Sequence, residues 1–194
     1  MIFGKMFKSK NFIEKYDNMI SRESCEYLIT LFEKYQNKTE GLTGGKIDHT
    51  LKKGTSIDLY FDNVEDNLNN QIINQIIYPP LIEGLERYKH KYPLIDEISE
   101  WSVNSDYVMQ RFAESEGYFV KHCEQEGRTS KRMLVWMFYL NDAKSGTRFY
   151  HQNVNMKAKS GRLVIWPAGW THMHSGIIPN RGDKYMATGW FSYY

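Results

Sequence analysis

Residues 132–140 read RMLVWMFYL, a run that is apolar at both odd and even positions. A strand with one wet face alternates, so a run without alternation belongs in the middle of a sheet covered on both sides. Working outward, Tyr107 to Phe112 (YVMQRF) and Gly117 to Glu124 (GYFVKHCE) precede it, parted by the polar AESE, which predicts a hairpin. Asn141 to Gly146 is a turn, and Thr147 to His151, Arg162 to Trp166 and Tyr185 to Tyr193 follow as further strand-like runs bounded by turn residues. Short strands at fairly regular spacing are the pattern of an all-β sandwich or barrel.

The first half reads differently. Ser21 is a candidate N-cap, Glu23 complements the helix dipole, and Cys25, Leu28, Ile29, Phe32 and Tyr35 fall on one helical stripe. Asn37 to Gly54 is polar and glycine-rich, a loop that could border a site. Its Gly41, Gly44 and Gly45 lack the spacing and the preceding strand of a dinucleotide fingerprint. Ser56 to Phe61 suggests a short strand. Leu68, Ile72, Ile73, Ile76 and Ile77 have helical spacing, Tyr78-Pro79-Pro80 is expected to interrupt it, and Leu81, Ile82, Leu85 and Tyr88 resume it before a solvated Lys89-His90-Lys91 end. The expected organisation is one domain over 1–194, with a helical support region with short strands over 1–100 and a β core carrying the site over 101–194.

Composition narrows the classes. With 25 Lys+Arg against 23 Asp+Glu, the net charge of +2 does not favour nucleic acid. Two cysteines, Cys25 and Cys123, are too few for a disulfide framework. No long apolar run is present and lysines interrupt the N-terminus, so the expectation is a cytoplasmic protein with no membrane partner.

Chemistry concentrates in HCE and HSGIIPNRGDK. His122 and Glu124, two apart, leave one face of an extended segment, and His174 would add a third donor from a distant strand. Two imidazoles and one carboxylate with open positions suit non-haem Fe(II). His172 competes with His174 because alternation points both the same way. Lys184, Thr188 and Trp190 share a face of the last strand, which would line the same cavity with a polar floor and an aromatic wall. Cys123 should point away from its neighbours' target. His49 reads as an exposed loop histidine, and His151 as a structural or rim residue.

Taken in order, GYFVKHCE, RMLVWMFYLND, SGTRFY, SGRLVIWP and HSGIIPNRGDKYMATGW resemble the Fe(II)/2-oxoglutarate-dependent dioxygenases, in particular the prolyl 4-hydroxylase-like group. The resemblance covers residues 107–194 and, much less specifically, 11–100. It implies a mixed α and β, β-rich fold with a double-stranded β-helix (jelly-roll) core and supporting N-terminal helices. It also implies that His122, Glu124 and His174 hold Fe(II), that Lys184 pairs with the distal carboxylate of 2-oxoglutarate, and that Tyr139 donates a second hydrogen bond there. The ten-residue interval to Lys184 selects His174 and leaves His172 as a rim or supporting residue. Two positions depart from the group: Glu124 stands where Asp is usual, and Phe112 where tyrosine is common.

The implied activity couples oxidative decarboxylation of 2-oxoglutarate by O2 to hydroxylation of a C–H bond, with ascorbate an allowed auxiliary. A peptidyl proline is the expected target and a peptide or protein the expected partner. Other readings are a dioxygenase of a small metabolite or a nucleic-acid base, and a non-catalytic jelly-roll binding module with a degenerate metal site.

Overall fold

The computed structural model describes residues 10–41, 47–61 and 68–194. The lysine-interrupted N-terminus before residue 10, loop glycines Gly44 and Gly45, and residues 65–67 at the start of the second helical run lie outside the described residues.

Strand β1 (Glu14–Tyr16) leads into helix α1 (Arg22–Lys34), which Ser21 caps as expected, its Oγ accepting from the Ser24 N–H at 3.0 Å. Tyr35 is the C-cap rather than a helical residue, and Leu31 is buried on the stripe with Cys25, Leu28 and Phe32. Strands β2 (Thr39–Glu40) and β3 (Lys52–Lys53) flank the loop, and β4 (Thr55–Tyr60) matches the predicted short strand. Helix α2 (Leu68–Lys91) runs through Pro79 and Pro80 without the expected break. Ile73, Ile77, Leu81 and Leu85 recur every fourth residue and are all buried, so packing of one face carries the helix past two missing N–H donors.

The rest is β structure: β5 (Trp101–Phe112), β6 (Gly117–Tyr118), β7 (Arg132–Tyr139), β8 (Gly146–Phe149), β9 (Val154–Lys157), β10 (Arg162–Pro167), β11 (His174–Ile177) and β12 (Lys184–Tyr193). A seven-stranded antiparallel sheet has the order β1-β10-β7-β12-β5-β4-β2, a smaller sheet the order β11-β8-β9, and β3 pairs with β6. Strand β7 is covered on both faces, as its lack of alternation requires. Leu134, Trp136 and Phe138 pack with Leu28, Phe32, Ile77 and Leu81 of the helices, while Val135, Met137 and Tyr139 pack with Phe149 and Met156 of the smaller sheet. Two facing sheets with helices on the outside of one form the jelly-roll.

The predicted hairpin between 107–112 and 117–124 does not form. Strand β5 begins six residues earlier and both its edges are occupied, by β12 and by β4, so Gly117-Tyr118 pairs with Lys52-Lys53 instead. Strand β1 is three residues long, and β9 lies in what reads as a lysine-rich turn. No helix among the described residues is long and apolar enough to cross a membrane.

Candidate metal centre

His122 and Glu124 lie on an extended segment beyond β6, outside any named strand. Backbone pairing still fixes them. His122 and His174 exchange two N–H···O bonds, each 2.9 Å, and the Glu124 N–H donates to the Ala168 carbonyl at 3.0 Å. The bridge brings one donor atom from each of His122, Glu124 and His174 within 4.8 Å of one another. Glu124 Oε1 is 3.5 Å from His122 Nε2 and 3.7 Å from His174 Nε2.

The far side of each imidazole is also fixed. His122 Nδ1 lies 3.0 Å from the Val120 carbonyl, and His174 Nδ1 lies 2.9 Å from that of His172. A carbonyl only accepts, so Nδ1 carries the proton and the Nε2 lone pair faces the other two donors. Tyr118 stacks on His122 at 3.8 Å between ring centres, and Phe149 and Trp166 enclose His174.

The second carboxylate oxygen is clamped. Glu124 Oε2 accepts from Trp190 Nε1 at 3.0 Å and from the Arg132 guanidinium at 3.1 Å, and that guanidinium lies over the Trp190 ring at 3.4 Å from its centre. Strands β7 and β12 are neighbours, which places Arg132 opposite Ser192, two residues beyond Trp190. One oxygen is thus spent on the clamp and the other is presented to the imidazoles. Burial alone would raise the Glu124 pKa, but when His122 and His174 are protonated their hydrogen bonds and charge hold it well below the usual carboxylate range.

The three donors open into a cavity of about 870 Å³ that also exposes Lys184, Thr147, Thr188 and Trp190. Lys184 is 2% exposed, its Nζ donating to the Gly146 carbonyl at 3.4 Å and lying 4.8 Å from the Phe112 ring centre. It forms no ion pair among the described residues, and burial pulls its pKa down to about 8. A desolvated ammonium without a counter-ion is costly unless an anion arrives to pair with it.

Several predicted residues stand elsewhere than expected. Tyr139 does not line the cavity. Its buried phenol meets Thr147 Oγ1 at 2.7 Å, so Thr147 is the group on the cavity wall and Tyr139 orients it. The Thr188 hydroxyl donates to the Trp136 carbonyl at 2.8 Å. Trp190 forms part of the wall, but its indole N–H is committed to Glu124. His172 is neither rim nor ligand. Its buried ring meets the Asn11 carbonyl at 2.9 Å and Thr171 Oγ1 at 3.0 Å, burial lowers its pKa, and only its backbone carbonyl supports His174. His151 is exposed beside Trp170, and exposed His49 lies 3.1 Å from a Glu40 carboxylate oxygen. The Cys123 thiol reaches the Gln125 carbonyl at 3.4 Å, outside the three-donor cluster.

Arg132 and Thr147 were not singled out from the sequence. Thr147 sits in SGTRFY, and a count along the alternation of β8 could have placed it inward. Arg132 opens an apolar strand, where a cation needs a partner.

Fold and donor set together define the class: a double-stranded β-helix with a mononuclear two-histidine, one-carboxylate site of the kind that binds non-haem Fe(II). The family model described as the 2OG-Fe(II) oxygenase superfamily matches residues 107–192, the part of the chain that carries the three donors and Lys184. The protein is an oxygenase whose cofactors are Fe(II), 2-oxoglutarate and O2.

Similar solved structures span the chain. A Pseudomonas putida prolyl-4-hydroxylase superposes with a TM-score of 0.69 at 13% identity, covering 95% of this chain and 94% of its own. The viral collagen prolyl hydroxylase of Paramecium bursaria Chlorella virus-1, in its 2OG complex, gives 0.61 at 19% identity over 94% and 97%. A Trichoplax adhaerens prolyl hydroxylase in complex with a hypoxia inducible factor peptide fragment gives 0.70 at 13% over 94% and 84%. At these identities the likeness is one of fold. No curated protein matches the chain by sequence.

Proposed function

We propose that the protein hydroxylates a peptidyl residue, with proline the first candidate, and that His122, Glu124 and His174 are the iron ligands. The observation that carries this reading is the coexistence, in one cavity, of a preoriented donor triad and buried Lys184, which has no ion pair among the described residues. A module that had lost its metal site would have no need for both Nδ1 atoms to be tied back and both Nε2 atoms turned inward.

Bound iron with 2-oxoglutarate would supply the oxidising chemistry. The chain's own residues bind, orient and exclude water. Lys184 holds the distal carboxylate of the cosubstrate, and Thr147, oriented by Tyr139, offers a hydroxyl in the same cavity. Arg132 and Trp190 fix the rotamer of Glu124. Phe112, Met137 and Met186 form apolar walls around the cosubstrate, which strengthens the Lys184 pairing by keeping water out. The peptide assignment draws its support from the prolyl hydroxylases among the structural neighbours, one of them bound to a peptide, and from a cavity large enough for a side chain beside the cosubstrate.

Anaerobic addition of Fe(II) and 2-oxoglutarate to the apo-protein is expected to develop a visible metal-to-ligand charge-transfer band. Admission of O2 with proline-containing peptides should then yield succinate and a product heavier by one oxygen. Absence of the band at saturation would sink the oxygenase site; a band with no peptide product would remove the peptidyl substrate alone.

A further inference from the structure

The cavity contains a second lysine that the chemistry above does not use. Lys52 enters from β3, its stem against Gly41, and its Nζ lies 5.7 Å from the centre of the Tyr118 ring, the ring that stacks on His122. The ammonium is therefore one aromatic ring away from the metal ligands. Lys52 is only partly exposed and lines the cavity, yet it makes no ion pair among the described residues, whereas its neighbour Lys53 pairs with Glu116 at 3.6 Å.

Lys52 and Lys184 line the same cavity in different surroundings. Lys184 lies against Phe112 and Gly146, and burial alone acts on its charge. Lys52, also desolvated, feels the carboxylates of Glu124 and of Asp58, an exposed residue of β4 that lines the same cavity. The cosubstrate accounts for one cation, because one of its carboxylates pairs with Lys184 and the other goes to the metal. Glu124 is already matched by Arg132. Four cations, Lys52, Arg128, Arg132 and Lys184, face three carboxylates, Asp58, Glu124 and Glu126, around the cavity, and iron and 2-oxoglutarate carry opposite double charges, so loading both leaves one positive charge over.

We infer that Lys52 is a specificity-determining residue that binds the primary substrate through a carboxylate close to the oxidised bond: for a peptide, an Asp or Glu flanking the target residue. The inference rests on reading the cavity as a hydroxylase site and names its substrate class. A half-buried ammonium held beside an aromatic ring offers a charge-assisted hydrogen bond to such a carboxylate.

The test uses iron- and 2-oxoglutarate-loaded protein under anaerobic conditions, with binding read from the perturbed charge-transfer band. The probes are heptapeptides on one backbone with Glu, Gln or Lys beside a central proline, the same three with central alanine, and N-acetylglutamate as the small-acid arm. Glu peptides should bind about ten- to a hundredfold more tightly than Gln peptides. Lys52→Gln should erase this preference without changing affinity for 2-oxoglutarate, Lys52→Arg should keep it, and Lys52→Glu should turn it toward the Lys peptide.

Tight binding of N-acetylglutamate with none by the peptides would support Lys52 and identify the source as a free acid. Equal affinity for Glu and Gln peptides with no response to N-acetylglutamate would overturn the inference. So would a preference that survives Lys52→Gln, or a Lys52→Gln variant that loses 2-oxoglutarate instead. A Glu preference shared by proline and alanine peptides, with no hydroxylation on admitting O2, would leave Lys52 standing and retire the prolyl reading. Hydroxylation of proline peptides regardless of the neighbouring charge would do the reverse.

Discussion

Replacing Glu124 with aspartate, the residue usual at this position in the group, should weaken iron binding rather than improve it. The Glu124 carboxylate reaches two donors at once, Trp190 Nε1 at 3.0 Å and the Arg132 guanidinium at 3.1 Å, while its other oxygen faces both imidazoles. Aspartate is shorter by one C–C bond, roughly 1.5 Å. Its carboxylate can keep the metal side or the clamp side, since the backbone at 124 is pinned to Ala168. Losing the clamp removes charge-assisted hydrogen bonds worth about 1.5–3 kcal/mol each and leaves a partly buried guanidinium without its counter-ion. A net loss of about 2–3 kcal/mol corresponds to roughly 30- to 150-fold in Fe(II) affinity. Anaerobic titration with Fe(II) at saturating 2-oxoglutarate measures it directly. Arg132→Gln and Trp190→Phe should each show part of the loss, and neither should add much to Glu124→Asp, because all three break one contact set. A Glu124→Asp variant that binds iron as tightly as the parent would refute the clamp as the reason for glutamate.

Three further outcomes follow from the buried cation and the paired histidines. Only charged Lys184 pairs with a carboxylate, so from a pKa of about 8 in the empty cavity the affinity for 2-oxoglutarate should be full below that pH and fall about tenfold between pH 7 and pH 9, measured by charge-transfer titration, with Lys184→Arg flat across the range. The same lowered pKa means that the unfolded chain holds more protons between about pH 8 and 10.5, so the stability of the apo-protein should rise with pH through that window and Lys184→Met should abolish the slope in denaturant melts. His174→Ala should lose iron binding altogether; His172→Ala should keep it but cost about 1–3 kcal/mol of stability, because it empties the site of a buried ring and removes that ring's hydrogen bonds to the Asn11 carbonyl and the Thr171 hydroxyl, and the reverse pattern would show the wrong histidine assigned to the metal.

What was legible in the sequence was whatever a period or a local interval controls. The central place of RMLVWMFYL follows from its missing alternation, and the shared face of Lys184, Thr188 and Trp190 from a period of two. Ser21 is local capping chemistry. What was not legible depends on which segments meet. The hairpin failed because β12 and β4 had already taken both edges of β5, a fact about strands far away in the chain. Tyr139 has the motif position of a cosubstrate donor, but its phenol meets Thr147 of β8, a partner that no local interval reveals. His172 and His174 could not be separated by alternation because both stand two apart on one segment. The structure separates them by a 3-10 turn over Trp170–His172, which carries His172 toward Asn11 before the strand begins at His174.

The glutamate at 124 shows how these levels combine. Read locally, it is one methylene too long for the motif. Across the sheet, that methylene is the reach needed to meet Arg132 from the start of β7 and Trp190 near the end of β12, two positions brought together only by antiparallel pairing. The same pairing presents Lys184 and Trp190 on one face of β12, so one strand supplies both the cosubstrate's counter-ion and the support of the iron carboxylate. A substitution that tilts β12 should therefore disturb iron and 2-oxoglutarate affinity together. Gly189 is the place to look, since a Cβ there would come within 2.6 Å of the buried Trp136 ring. Gly189→Ala should weaken both ligands in parallel, and an effect on one alone would mean that the two ends of the strand act independently.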